Sequence, residues 1–360
     1  MRPVFILGVF IPVAFALRLA DASPEAVFAT SALGMVPAAA LMGDATEELA
    51  ARSGPGIGGL VNVTFGNAPE LIIAIFALAD GLQEVVKATL VGSIVGNVLL
   101  VLGAAMLAGG IGRVRQRFDR TAAQTQVGML MLTVIALVLP STLALAHHAG
   151  LPGVNEIRNE HFDHDIQKAS LAIAIVLIAT YLAGLLFSLR THRDLFNPAA
   201  DLRDTEGTWP VRKSMTILAA GGVLVALLSD VLVGSIEHAA ASLGISQFFL
   251  GAFVVAVVGN AAEHYVAVAV AVKDKMHLAV NISIGSSAQI GLFVAPILVL
   301  LSFFVGPTPM PLVFNVYEIA ALLGAGLAAG ALVSDGESTW FEGLQLIALY
   351  AVIGIVFFAA

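Results

Sequence analysis

An all-α polytopic membrane protein of about 11 transmembrane helices is the fold that this sequence predicts, with two inverted-topology five-helix repeats behind a peripheral first helix. Three observations predict it. Of the 360 residues, 59% are hydrophobic and only 12% charged, whereas soluble domains carry about a quarter charged residues. Mean hydropathy is strongly positive, and apolar runs of the roughly 20 residues a helix needs to cross a bilayer recur along the chain. Third, a short polar motif, Gly-Asn-x-x-Glu, lies inside two of those runs, at Gly66–Glu70 and Gly259–Glu263, 193 residues apart.

Eleven runs qualify as spans, near 3–19, 26–50, 57–79, 84–108, 122–147, 166–189, 213–242, 246–272, 277–304, 313–333 and 340–358. The first is short and ends in "LRLADAS". It reads as a genuine first helix with Arg18 snorkelling to the interface, the alternative being a signal peptide with its cleavage region. Residues 1–22 then form the first helix and 23–190 the first repeat. Residues 191–212, with Pro198, Pro210 and mixed charges, form a cytoplasmic linker with room for a short surface helix, and 213–360 form the second repeat.

Basic residues orient a membrane protein, because they are retained on the cytoplasmic side. If the N-terminus defines side one, that side holds thirteen of the 17 Lys and Arg residues, among them Arg52, Arg113, Arg115, Arg117, Arg120, Arg212, Lys213, Lys273 and Lys275. The opposite side holds Arg18, Lys87, Arg158 and Lys168. The N-terminus is therefore expected in the cytoplasm. A prokaryotic cell membrane is the expected location, with a vacuolar-type membrane as the alternative.

The motif repeats at one fixed offset. The offset that carries Glu70 onto Glu263 also carries Gly92-Ser93 onto Gly285-Ser286, and Leu99 and Val101 onto Leu292 and Val294, without a gap. Two matched blocks on successive spans point to an internal duplication. Five spans separate the copies, an odd number, so they face opposite ways. Secondary transporters are built in this manner, with the ion site at the bilayer midplane where the copies meet.

The chemistry follows from the residue types. A charge at the bilayer centre costs roughly 2.5–3.5 kcal/mol or more, so Glu70 and Glu263 need a purpose. On a helix, Asn67 shares a face with Glu70. Gly66 and Gly259 admit close neighbours and weaken the local helix. Pro69 lacks an N–H, so it should free the Phe65 carbonyl. The twin copy has Ala262 there, which predicts a freer carbonyl in the first copy alone. Ser93, Asn97, Ser286, Ser287 and Gln289 add oxygens on the following spans. Two carboxylates with amide, hydroxyl and carbonyl oxygens are the ligand set of hard cations such as calcium. Soft-ligand metals are disfavoured. Empty, the two carboxylates repel one another and take up protons, so protons and a divalent cation compete for the same oxygens. A site that crosses the membrane in either form is an exchanger.

Other acids lie within spans. Glu47 near the inner end of the second span, and Glu237 near the outer end of the seventh, are candidate cation or proton relays, with ordinary interfacial acids as the alternative. Asp230 and Glu318 are weaker candidates, and Glu318 reads equally as a polar packing partner for the Gln124–Gln126 region. His264 follows Glu263 but points about 100° away round a helix. Gly92 and Gly285 read as ligand-adjacent or as packing positions. The loop 155–165 is acidic and His-rich, which suits a solvated segment better than a cation funnel.

Composition excludes several classes. The net charge of −8 sits in short loops and leaves no basic footprint for nucleic acid. With no cysteine, disulfides, thiolate metal centres and cysteine nucleophiles are all excluded. An intramembrane enzyme would need a nucleophile, a metal dyad or an aspartyl pair. No His-Glu-x-x-His occurs, and the lone Gly43-Asp44 has no second Asp motif to complete an aspartyl pair. No cofactor is expected; calcium and protons are the expected substrates and the bilayer the partner. The alternatives are exchange of another divalent such as manganese, coupling to sodium, or passive cation conduction.

"GNAPELIIAIFAL" and "GNAAEHYVAVAVAVKDKMHLAVNISIGSSAQIGLFVAP" closely resemble the paired signature segments of the calcium/proton exchangers, a family of the calcium/cation antiporter superfamily. "ATEELA" and "TAAQTQ" also match its pattern, and the resemblance runs from the second span to the end. It implies eleven helices and calcium/proton antiport by alternating access. It implies Glu70 and Glu263 as the calcium-binding acids, supported by Asn67, Asn260, Gly66 and Gly259. Ser93, Ser286 and Gln289 match the family's neighbouring polar positions, and Glu47 an acid near the cytosolic route. The chain lacks the long regulatory N-terminus of many eukaryotic relatives, and its linker is only modestly acidic, which argues against calcium regulation there.

Overall fold

The computed structural model describes residues 3–154, 164–188 and 208–360. Residues 155–163 of the acidic loop and 191–207 of the linker lie outside them. Each of the eleven apolar runs holds a helix among its described residues. We number them α1 (Val4–Leu19), α2 (Pro24–Ser53), α3 (Leu60–Ala79), α4 (Gln83–Gly110), α5 (Arg120–Ala146), α6 (His164–Leu186), α7 (Val211–Leu243), α8 (Gln247–Gly259 with Ala261–Val272), α9 (Met276–Leu301), α10 (Val316–Leu332) and α11 (Trp340–Ala359). Among the described residues, eight are long and apolar enough to cross a membrane alone. α8 is a ninth as two halves bent by 60°, while α1 and α10 are shorter.

Helical backbone extends over 43 residues, from Pro24 to Gly66, but not as one straight rod. A straight helix of that length would reach about 65 Å and hold Ala50 and Gly58 about 12 Å apart. Instead a Cβ placed on Gly58 would collide with the Ala50 carbonyl. The chain therefore turns back between α2 and α3, and glycine is required at Gly58 because the backbones meet there.

The chain divides into two compact units, each drawing on both halves of the sequence. The first comprises Met1–Asp80, Leu182–Ile245 and Val258–Ala262. Its core is α2 against α7. Met35, Ala38, Ala39 and Met42 are buried on α2, and a Cβ on Gly221 of α7 would stand 2.8 Å from Met42 Cγ. Small residues let membrane helices approach this closely. α1 packs on α2 where Gly34 meets the Ile11 backbone. Arg18, expected to snorkel, pairs with Asp230 of α7 at 2.9 Å.

The second unit comprises Gly81–Tyr181, Ser246–Val257 and Glu263–Ala360. α4 is its central helix and the most buried of the spans. It crosses α11 at two glycines, a Cβ on Gly343 falling 2.5 Å from the Gly103 carbonyl. Gly92 abuts the Ala252 backbone of α8 so closely that any side chain would collide, which makes it a packing position. Gly285 has ordinary contacts with Gln126. Two short antiparallel strands, β1 (Gln116–Arg117) and β2 (Glu337–Ser338), tie the α4–α5 and α10–α11 connections. Arg115 and Arg117 both bond Glu337 across them.

Candidate cation site

In the first unit the motif breaks a helix. α3 is interrupted at Asn67, whose backbone is non-helical (φ −97°, ψ 19°), and helix resumes at Ala68. Pro69 lies in the first turn of the new segment, where its missing N–H costs nothing because helix-start donors lack intrahelical partners anyway. The Asn67 N–H turns toward the Phe65 carbonyl at the helix end, two residues back rather than the helical four. Helical bonding across 65–69 is interrupted at Asn67, which leaves the expectation of a freer Phe65 carbonyl standing. In the second copy α8 breaks at Asn260 with Ala262 in the equivalent place, so a break of this kind forms there without proline.

Glu70 sits in the first turn after the break, where the helix dipole favours a negative charge. It is buried, as are Asn67 and Asn260. Its carboxylate faces the other copy of the motif: a Cβ on Gly259 would lie 3.4 Å from Glu70 Cγ and 3.5 Å from Oε1. The fold thus brings Glu70 together with Gly259 and its neighbour Asn260, while Gly66 is half-buried at the helix end. Gly43 of α2 approaches Ala262 at 3.6 Å. Glu47 and Glu237 are exposed on α2 and α7.

In the second unit Glu263 again occupies the first turn after the break. Its Oε2 accepts a 2.5 Å hydrogen bond from Ser286 Oγ of α9. Ser93 is buried on α4 and Gln289 half-buried on α9. Ser287 is a helix–helix tie, donating to Ser283 within α9 and to the Ile94 carbonyl of α4. His264, directed away from Glu263 on the sequence reading, meets Asn97 Oδ1 at 3.1 Å.

Both polar stretches run into π-helical turns, Gly96–Val101 in α4 and Ile290–Val294 in α9. Their ends, Val101 and Val294, are separated by the 193 residues that separate the glutamates. A third π segment, Leu250–Val255, precedes Gly259 in α8. Such turns are frequent at functional sites. Among the described residues, no group of three His, Asp or Glu side chains is placed to hold a metal. A cation beside either glutamate would draw on amide, hydroxyl and carbonyl oxygens as well as the carboxylate.

Other residues have different partners from those expected. Glu318 caps its own helix, its carboxylate accepting from the Asn315 N–H and the Asn315 side chain from the Glu318 N–H. Gln126 instead pairs with Asn281 of α9, and Gln124 with the Ser334 carbonyl. Glu48, beside Glu47, accepts from Thr208 Oγ1 and Trp209 N just before α7. Lys87, counted with the outer loop charges, is buried in α4. Its signal was visible as a lysine one turn inside an apolar run.

The sodium/calcium exchanger protein family matches residues 25–190 and 213–359. A Ca2+/H+ antiporter of Synechocystis sp. is 42% identical over 98% of this chain and 96% of its own. The Ca2+/H+ antiporter ChaA of Bacillus subtilis is 41% identical over 93% of each. Among solved structures, native YfkE superposes with a TM-score of 0.84 at 36% identity, covering 99% of this chain and 100% of its own.

Proposed function

The chain belongs to the sodium/calcium exchanger protein family, and from that premise we infer that it is a multi-pass membrane antiporter exchanging calcium for protons. It is a transporter and not an enzyme. Curated relatives that match it along nearly the whole chain carry that activity in their names, which supports the choice of ions.

The ion-carrying acids are Glu70 and Glu263. The observation that supports them is shared by both: each is the first-turn acid of a helix restarted at a buried asparagine. Broken helices in transporters offer backbone carbonyls to cations at their C-terminal ends, here around Gly66 and Gly259. Asn67 and Asn260 set the breaks, and Ser93, Ser286 and Gln289 supply oxygens on the following spans. Two carboxylates match the charge of one calcium ion, and protons neutralise them when calcium leaves. Glu47 and Glu237 serve as relays at opposite mouths, the N-terminus lies in the cytoplasm, and the two five-helix repeats alternate access to the ion.

Glu70→Gln and Glu263→Gln, purified and reconstituted separately, are each expected to abolish calcium uptake driven by an imposed pH gradient. Undiminished uptake by either variant would remove that glutamate from the mechanism.

A further inference from the structure

Lys87 is among the largest fully buried side chains of the described residues. A lysine inside an apolar span is expensive to bury, and such residues pair with specific partners. Its ammonium lies 2.5 Å from Glu84 Oε1 and donates to the Val313 carbonyl at 2.8 Å. An ammonium has three N–H donors, and these contacts use two.

Val313 belongs to a non-helical stretch, Met310–Asn315, that is buried throughout. Backbone of this kind is tolerated at membrane depth only where protein satisfies it. Side chains from three other segments do so: Ser302 Oγ accepts from Met310 N, Ser170 Oγ from Leu312 N and Ser141 Oγ from Phe314 N, at 2.8–3.0 Å. Glu318 Oε2 takes the Asn315 N–H, two residues from the carbonyl that Lys87 holds. Glu318 is fully buried, and its Oε1 has no hydrogen-bond partner.

One locus of the second unit therefore gathers two carboxylates, Glu84 and Glu318, and the carbonyl of an unwound segment. Those are hard-cation ligands, and an ammonium stands among them. We propose that this locus is a built cation site whose cation position is held permanently by the Lys87 ammonium in place of a divalent metal ion. The tethered charge does there what a free ion would do: it neutralises carboxylate and fixes the buried segment against α4. The locus is distinct from the Glu70 and Glu263 acids.

The test is equilibrium calcium binding to purified protein in a Glu70→Gln/Glu263→Gln background, so that the readout is independent of exchange. Adding Lys87→Met is expected to create binding of about one calcium per chain, filling the vacated oxygen set. Lys87→Arg should create none, and a further Glu318→Gln should remove what Lys87→Met created. Should Lys87→Met lower the melting temperature, calcium is expected to restore it toward that of the Lys87 parent. A folded Lys87→Met protein that binds no calcium beyond its parent would overturn the proposal. So would a destabilised one whose melting temperature calcium leaves unchanged.

Discussion

Glu70 and Gly259 come from opposite copies of one motif, yet Glu70 Oε1 lies 3.5 Å from where a Gly259 Cβ would be. That spacing leaves room for a methyl group and little more. Gly259→Ala is therefore expected to transport with an apparent calcium affinity within a few-fold of the parent. Gly259→Val should overpack the carboxylate, at about 1–3 kcal/mol, and weaken affinity on the order of tenfold or more. Initial uptake rates against calcium concentration measure both. The neighbouring serines separate in the same way. Ser286→Ala removes a bond to a charged group, about 1.5–3 kcal/mol, and should raise the apparent KM about tenfold or more. Ser287→Ala, which loses only ties to backbone carbonyls, should leave KM close to that of the parent. The two glutamates and asparagines were legible in the sequence because polar residues stand out in apolar runs. Ser286 was singled out from its neighbour Ser287 by the repeat offset with Ser93, whereas the tie of Ser287 to the Ile94 carbonyl was not legible, since it depends on how α9 packs against α4. Lys87 was visible, but its burial was not, because the Val313 carbonyl that it bonds lies more than 220 residues away.

The helix break is the element on which the proposed chemistry depends. Pro69 marks one break in the sequence, but Asn260 breaks α8 with no proline nearby. Pro69→Ala should therefore retain the break, and its exchange rate is expected to stay within a few-fold of the parent. Loss of exchange with retained folding would show that the first copy depends on its proline after all. The spans themselves were legible from apolar length, to within a few residues. The π turns at Gly96–Val101 and Ile290–Val294 were not, because one extra residue per turn leaves the hydrophobic pattern nearly unchanged. The turn between Ala50 and Gly58 was readable only as a "SGPGIGG" stretch between two apolar runs.

Across the whole molecule, duplication and unit boundaries do not coincide: each compact unit takes segments from both halves of the chain. Sequence offset reveals a repeat, whereas packing decides which helices cohere, and long-range contacts leave no periodic trace. Both glutamates are proposed to carry either calcium or protons, so apparent calcium affinity should fall as pH falls. The central claim is that the two fluxes are coupled, and its most direct measurement is calcium uptake into proteoliposomes together with a luminal pH reading. With the lumen acidic, calcium should enter while the lumen alkalinises, and dissipating the pH gradient should stop uptake. Calcium entry at the same rate with no pH gradient, and without proton movement, would contradict exchange.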